Sequence, residues 1–295
     1  MTEPRLCSDA ARLRGDDNAA TAARVDLWLL VEFAGTWGRN PIRDAALPDD
    51  VREALAHATS VLPRSRLVFI RRRLVANNGC RVYLARSTPK PALATADLAS
   101  VAELATFSFT ALLEQLAPAE KPLILVCTHG QHDSCCGKRG YPLYDALRCN
   151  DALDVWQCSH IGGDRFAANA LVLPWGLYYG PVEAADAQTF ASTVLRDEIY
   201  LSGFRGRSTF GRAVQAAETF VRRESGLLAR DAFRVVERQD LGDGRTRVQL
   251  RDRSERIHDI TLELYVSAAA AQGTCTSQVP APIRQFRVVD YHLAT

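Results

Sequence analysis

The sequence has no run approaching the roughly 20 apolar residues of a membrane-spanning helix, and its apolar stretch Leu27 to Phe33 is interrupted by Glu32. An export signal needs a basic start and then an apolar run, whereas Met1 to Arg12 carries acids and polar groups. The expectation is a cytoplasmic protein without membrane insertion. An excess of either charge is also missing, since 36 Lys and Arg face 34 Asp and Glu, so no nucleic-acid partner is expected. Eight cysteines in 295 residues are too sparse for a small disulfide scaffold. There is no Gly-rich dinucleotide fingerprint, no phosphate loop, and no paired-carboxylate arrangement that would support glycoside hydrolysis. What is present is an ordinary globular composition, 47% hydrophobic, at a length that suggests two domains or one with an appendage.

Apolar periodicity divides the chain. In residues 1–95, Trp28 to Phe33, Leu67 to Ile70 and Arg81 to Ala85 read as strands, with Asn77-Asn78-Gly79 as a turn, and Asp49 to Leu62 reads as a helix. Arg71-Arg72-Arg73 reads as a solvated strand end rather than an acid-binding patch. In residues 96–225, helical spacing at Val101 to Leu116 precedes a buried strand at Pro122 to Val126 and a cysteine-rich loop. A helix is expected from Tyr141 to Cys149, with Pro142 in its first turn, and strands at Asp154 to Cys158 and Ala170 to Leu173. Helical patterns follow at Glu183 to Tyr200 and Thr209 to Glu224. Residues 226–295 alternate as half-exposed strands, with Gly242-Asp243-Gly244 as a turn and Gln285 to Tyr291 closing a small antiparallel appendage.

The chemistry is concentrated in Cys127-Thr128-His129-Gly130-Gln131-His132-Asp133-Ser134-Cys135-Cys136-Gly137 and Cys158-Ser159-His160-Ile161-Gly162-Gly163-Asp164-Arg165-Phe166. Cys127 ends a strand and Cys136 lies across a loop, a spacing that curls around a small group while the strand fixes one ligand. Cys158 and His160 are two apart, which in an extended segment puts both on one side. Thiolates and imidazole suit zinc or an iron–sulfur cluster.

These two segments resemble the sucrase/ferredoxin-like family over most of Leu123 to Gly180, and Trp28 to Gly38 is similar to the family's amino-terminal region. The resemblance implies an α/β fold with a thioredoxin-like ferredoxin core, a two-iron, two-sulfur cluster and one-electron transfer, with a redox partner such as a flavin-dependent reductase. It does not imply that sucrose is a substrate. Related proteins use two cysteines and then two histidines separated by three residues. Here Cys127, Cys136 and His160 match the first three and Asp164 stands at the fourth. Cys158 is adjacent and softer, so the expected ligands are Cys127, Cys136, Cys158 and His160, with Asp164 as rival ligand, acceptor for His160 or partner of Arg165. The expected organisation is an N-terminal α/β region over 1–95 that can share the thioredoxin-like fold, the ferredoxin core over 96–225 and the β appendage.

Around this set, Cys135 is expected to pack beside the cluster, and Cys7, Cys80, Cys149 and Cys275 to be packing residues or unremarkable thiols. His129 and His132 read as loop or hydrogen-bonding residues ahead of proton carriers. Gly162-Gly163 reads as a close backbone approach to inorganic sulfur or an ordinary turn, and Arg165 as a charge offset, a partner contact or a surface ion pair. Trp156, Phe166 and Trp175 read as packing that excludes water. A zinc-stabilised binding module and a thiol–disulfide oxidoreductase are the alternatives, the latter weakened by the lack of a Cys-x-x-Cys pair.

Overall fold

The computed structural model describes residues 6–72, 79–88, 90–119, 121–277 and 279–294. Asn77, Asn78 and Arg73 of the sequence reading lie outside them. The first strands and helices are α1 (Cys7–Arg14), β1 (Leu27–Glu32), α2 (Pro41–Asp44), α3 (Asp49–Val61), β2 (Ser65–Arg71), β3 (Cys80–Arg86), β4 (Ala92–Leu98) and α4 (Phe109–Leu112). Then come β5 (Leu123–Cys127), α5 (Ser134–Leu147), β6 (Asp154–Cys158), β7 (Ala170–Leu173), β8 (Leu177–Tyr179), α6 (Ala187–Leu195), β9 (Phe204–Arg207) and α7 (Arg212–Ser225). The chain finishes with β10 (Phe233–Gly242), β11 (Arg245–Asp252), β12 (Ile257–Ala271) and β13 (Ala281–Ala294).

Strands β1 to β9 form one sheet in the order β4-β3-β1-β2-β6-β5-β7-β8-β9. Its two halves repeat one pattern. A parallel pair with a helix between its strands, β1 with β2 and then β5 with β6, is extended on one side by two antiparallel strands, to which the second half adds a third, β9. The halves meet where β2 pairs antiparallel with β6 through Ile70↔Cys158 and Arg71↔Gln157. One continuous sheet runs through both the expected N-terminal α/β region and the expected ferredoxin core, and β4 crosses residues 95–96.

Alternation along each strand sorts side chains between two faces. Leu29 and Val31 of β1 pack with Val51 and Leu55 of α3, whereas Trp28 and Leu30 join a cluster shared with Leu125, Trp156 and Tyr178 of the second half. On β5, Ile124 and Val126 pack with Leu143 and Leu147 of α5 and Phe190 of α6, while Leu123, Leu125 and Cys127 enter the shared cluster.

Three local expectations change. Val101 to Leu116 is broken into two 3-10 turns flanking the short α4. Glu183 to Tyr200 keeps regular α-helix only over α6. Helix α5 begins at Ser134, because Asp133 caps it by accepting from the Cys135 N–H at 2.8 Å, so Pro142 lies inside the helix. Strands β10 to β13 form a separate four-stranded antiparallel sheet, with Gly242 to Gly244 at its first hairpin. Val248, Leu250, Ile260 and Leu262 bury one face of it against Ala213, Ala217 and Val221 of α7. No helix among the described residues is long and apolar enough to cross a membrane.

Candidate metal centre

Cys127 is the last residue of β5 and Cys158 the last of β6, and the two are register partners in a parallel pair. Beyond them the chain turns through Thr128 to Asp133 and enters α5, which places Cys136 in the first turn of a helix rather than in a loop. The helix closes tightly on the strand end, since a Cβ at Gly140 would stand 2.0 Å from the Cys127 carbonyl oxygen. Cys127, Cys136 and His160 converge, with one donor atom from each within 4.8 Å of the others. Asp164 joins them. Its Oδ1 accepts from the Cys136 thiol at 3.2 Å and lies 3.1 Å from Nδ1 of His160. Cys158 meets Cys127 through its sulfur but stands outside that three-donor set among the described residues.

All three cysteines are buried, while the His160 side chain keeps 16% exposure. Hydrogen bonds from Cys136 and Cys158 hold the Cys127 thiol well below its ordinary pKa. Its neighbours move the other way: Cys136 is raised by its bond to Cys127 and by burial, Cys158 by burial and then by Cys127. Burial works against charge on His160, but the hydrogen bond and charge of Cys127, with Asp164, outweigh it and raise its pKa. Cys127 is thus the thiol best prepared to act as a thiolate.

The backbone bearing His160 is held carbonyl by carbonyl. Arg66 donates to the carbonyls of His160 and Ile161 at 2.7 and 3.1 Å, Tyr178 donates to Ile161, Arg205 to Gly162 and Asn169 to Gly163. Arg205 is fully buried, which brings its pKa down to about 10, and it also bonds Thr21 and Asn169. Gly163, at φ +89°, lies against this guanidinium, and a Cβ there would meet it at 2.3 Å. These four supporting residues carry no motif in the sequence, and only the fold brings them under the loop.

His129 is buried and takes the hydrogen-bonding role. Its Nε2 donates to the Gly38 carbonyl at 2.6 Å, leaving Nδ1 to accept from the His160 N–H at 3.1 Å. Trp37 stands edge-on to the same ring, which ties the amino-terminal segment to the centre. His132 stacks on His160 at 3.8 Å between centroids. Arg165 lies over Phe166 and 3.9 Å from Asp16. Trp156 and Phe166 are buried, Trp175 packs half-buried against the core, and Arg71 and Arg72 stack on Trp37 and Trp156. A cavity of about 750 Å³ among the described residues is lined by β4, β6, the start of β5 and the end of α5 and contains none of the clustered donors.

Two buried thiols and an imidazole, brought together at two strand ends and a helix start, make a candidate metal site of soft donors. Residues 19–206 match the sucrase/ferredoxin-like family, and the chain belongs to it. The match spans the nine-stranded sheet and leaves out α7 and the four-stranded sheet. Membership brings the thioredoxin-like ferredoxin relation of the fold and an iron–sulfur, redox class of function. A solved thioredoxin-like 2Fe-2S ferredoxin from Aquifex aeolicus is similar at 15% identity over 29% of this chain and 91% of its own, with a TM-score of 0.27. No curated protein matches.

Proposed function

We propose that the protein is an electron carrier whose two-iron, two-sulfur cluster is held by Cys127, Cys136 and His160, with Asp164 as fourth ligand in place of Cys158. The observation that carries this reading is the convergence of the first three donors from a strand end, a helix start and a braced loop. The donors fit the group, being two thiols and a nitrogen in a site that burial keeps dry, with one thiol already favoured as thiolate. Asp164 is preferred because it touches both Cys136 and His160, whereas Cys158 meets Cys127.

When bound, the cluster supplies a one-electron couple. Cys127, Cys136 and Cys158 exclude water from one side, and Arg66, Arg205 and Asn169 fix the His160 loop so that little rearrangement accompanies a change of charge. His132 and His160 form the half-exposed edge through which a redox partner, such as a flavin-dependent reductase, gains access. Exposed Arg39, whose carbonyl accepts from His132 Nδ1 at 3.1 Å, adds positive charge at that rim.

The test is iron and acid-labile sulfide analysis of anaerobically purified protein together with its visible spectrum. Equal iron and sulfide, with charge-transfer absorption that bleaches on reduction, is expected. Zinc at this centre without labile sulfide overturns the electron-carrier reading.

A further inference from the structure

A second group of thiols converges on the other side of Cys135. Cys7 opens α1, Cys135 lies in the first turn of α5, and Cys275 follows β12. Their sulfurs are mutually close, at 3.4 Å for Cys7 and Cys135, 3.1 Å for Cys135 and Cys275, and 3.6 Å for Cys275 and Cys7. Asp133 completes the group, with a donor oxygen within 4.8 Å of the three sulfurs. Its carboxylate accepts from the Cys135 N–H at 2.8 Å and the Cys275 N–H at 2.6 Å. Cys7, Asp133 and Cys135 are buried, and Cys275 is half-buried.

Cys7 and Cys275, expected from the sequence as packing residues or unremarkable thiols, are separated by nearly the whole chain. The three sulfurs share S–H donors among themselves, while Asp133 sets a buried carboxylate beside them, an arrangement that ordinary apolar packing does not require. The set matches a closed metal site better. In a tetrahedron with Zn–S bonds of about 2.3 Å, sulfurs stand about 3.8 Å apart, so a zinc ion requires the edges of the triangle to open by about 0.2 to 0.7 Å. Backbone N–H groups of Cys7 and Ser8 already point at the sulfurs of Cys275 and Cys135, at 3.5 and 3.4 Å, in a manner suited to thiolates.

We infer that Cys7, Cys135, Cys275 and Asp133 form a structural zinc site distinct from the Cys127 centre. Binding releases the three thiol protons and leaves an anionic Zn(S)₃O unit without change of oxidation state. The ion fastens the N-terminal helix and the loop between β12 and β13 to the start of α5. It also divides the adjacent pair Cys135 and Cys136 between two metals.

Metal analysis of protein expressed with ample zinc and iron tests this. About one zinc per chain is expected beyond the iron, with an X-ray absorption shell of three sulfurs and one oxygen. Cys7→Ser and Cys275→Ser are each expected to lose the zinc while keeping iron, labile sulfide and visible absorption, which also reports that they fold. Zinc absent from the wild type, zinc unchanged in both variants, imidazole scattering around the zinc, or a Cys135–Cys275 disulfide in anaerobic protein each overturns the inference. A zinc site found in protein without iron leaves it standing while removing the electron-carrier reading.

Discussion

The Cys136 thiol donates to Oδ1 of Asp164 at 3.2 Å, joining the first turn of α5 to the loop after β6. Burial raises the Asp164 pKa, and the charge of His160 opposes that shift. A carboxylate in this position is costly unless a cation or strong donors meet it. Asp164→Asn is therefore expected to weaken iron retention against a chelator by at least about tenfold and to change the electron paramagnetic resonance spectrum of the reduced protein, as loss of a ligand does. Cys158→Ser is expected to keep both iron and spectrum. The reverse result assigns the fourth position to Cys158.

Gly163 and Arg205 form a second pair on which the centre depends. At φ +89° an L side chain is strained, and the space its Cβ needs holds the guanidinium. Gly163→Ala is expected to destabilise the holoprotein by about 1–3 kcal/mol, read as a lowered melting temperature. Arg205→Met leaves the Gly162 carbonyl and Asn169 without their buried donor and is expected to cost a similar amount. Unchanged melting in both variants would show that the loop is held by other contacts.

Much of this was legible because local patterns encode it. The Cys127 and Cys136 spacing, with Ser159-His160-Ile161-Gly162-Gly163, led to donors that do converge, and short apolar runs located β1, β2, β3, β5, β6 and β7. The start of α5 was missed because residues Cys135 and Cys136 read as loop chemistry, although Asp133 is the capping residue that sets it. The continuous sheet depends on two residue pairs between β2 and β6, and no periodicity reports such a contact. Arg66 and Arg205 were invisible for a related reason: a buried arginine looks like any other in a sequence until its carbonyl partners are placed.

His129 positions His160 without joining the donor set. Burial keeps its pKa low, against the bond to Gly38, so the neutral ring with hydrogen on Nε2 is the form that accepts from the His160 N–H. His129→Phe preserves the ring volume and the Trp37 contact but removes both hydrogen bonds. The expected result is a retained cluster with a shifted midpoint potential, measured by redox titration. His129→Gln, which can accept and donate, is expected to restore part of the shift. Identical potentials in all three proteins would limit His129 to packing.

Glu218 lies fully buried between two arginines, with its carboxylate 2.9 Å from both Arg207 and Arg222. Burial favours the neutral acid, but the charges of Arg207 and Arg222 prevail and lower its pKa in the folded protein below the ordinary 4.5. The unfolded chain then binds the proton more readily, so the stabilisation is complete above about pH 4.5 and is lost as pH falls through the folded value. Glu218→Gln strands two buried cations where α7 meets β9 and is expected to cost about 3–5 kcal/mol at neutral pH. Denaturant melts of wild type and variant at a series of pH values check both points. Their stabilities should converge below pH 4.5, and a gap that stays constant to lower pH would show that lost packing, not the ionised carboxylate, accounts for the cost.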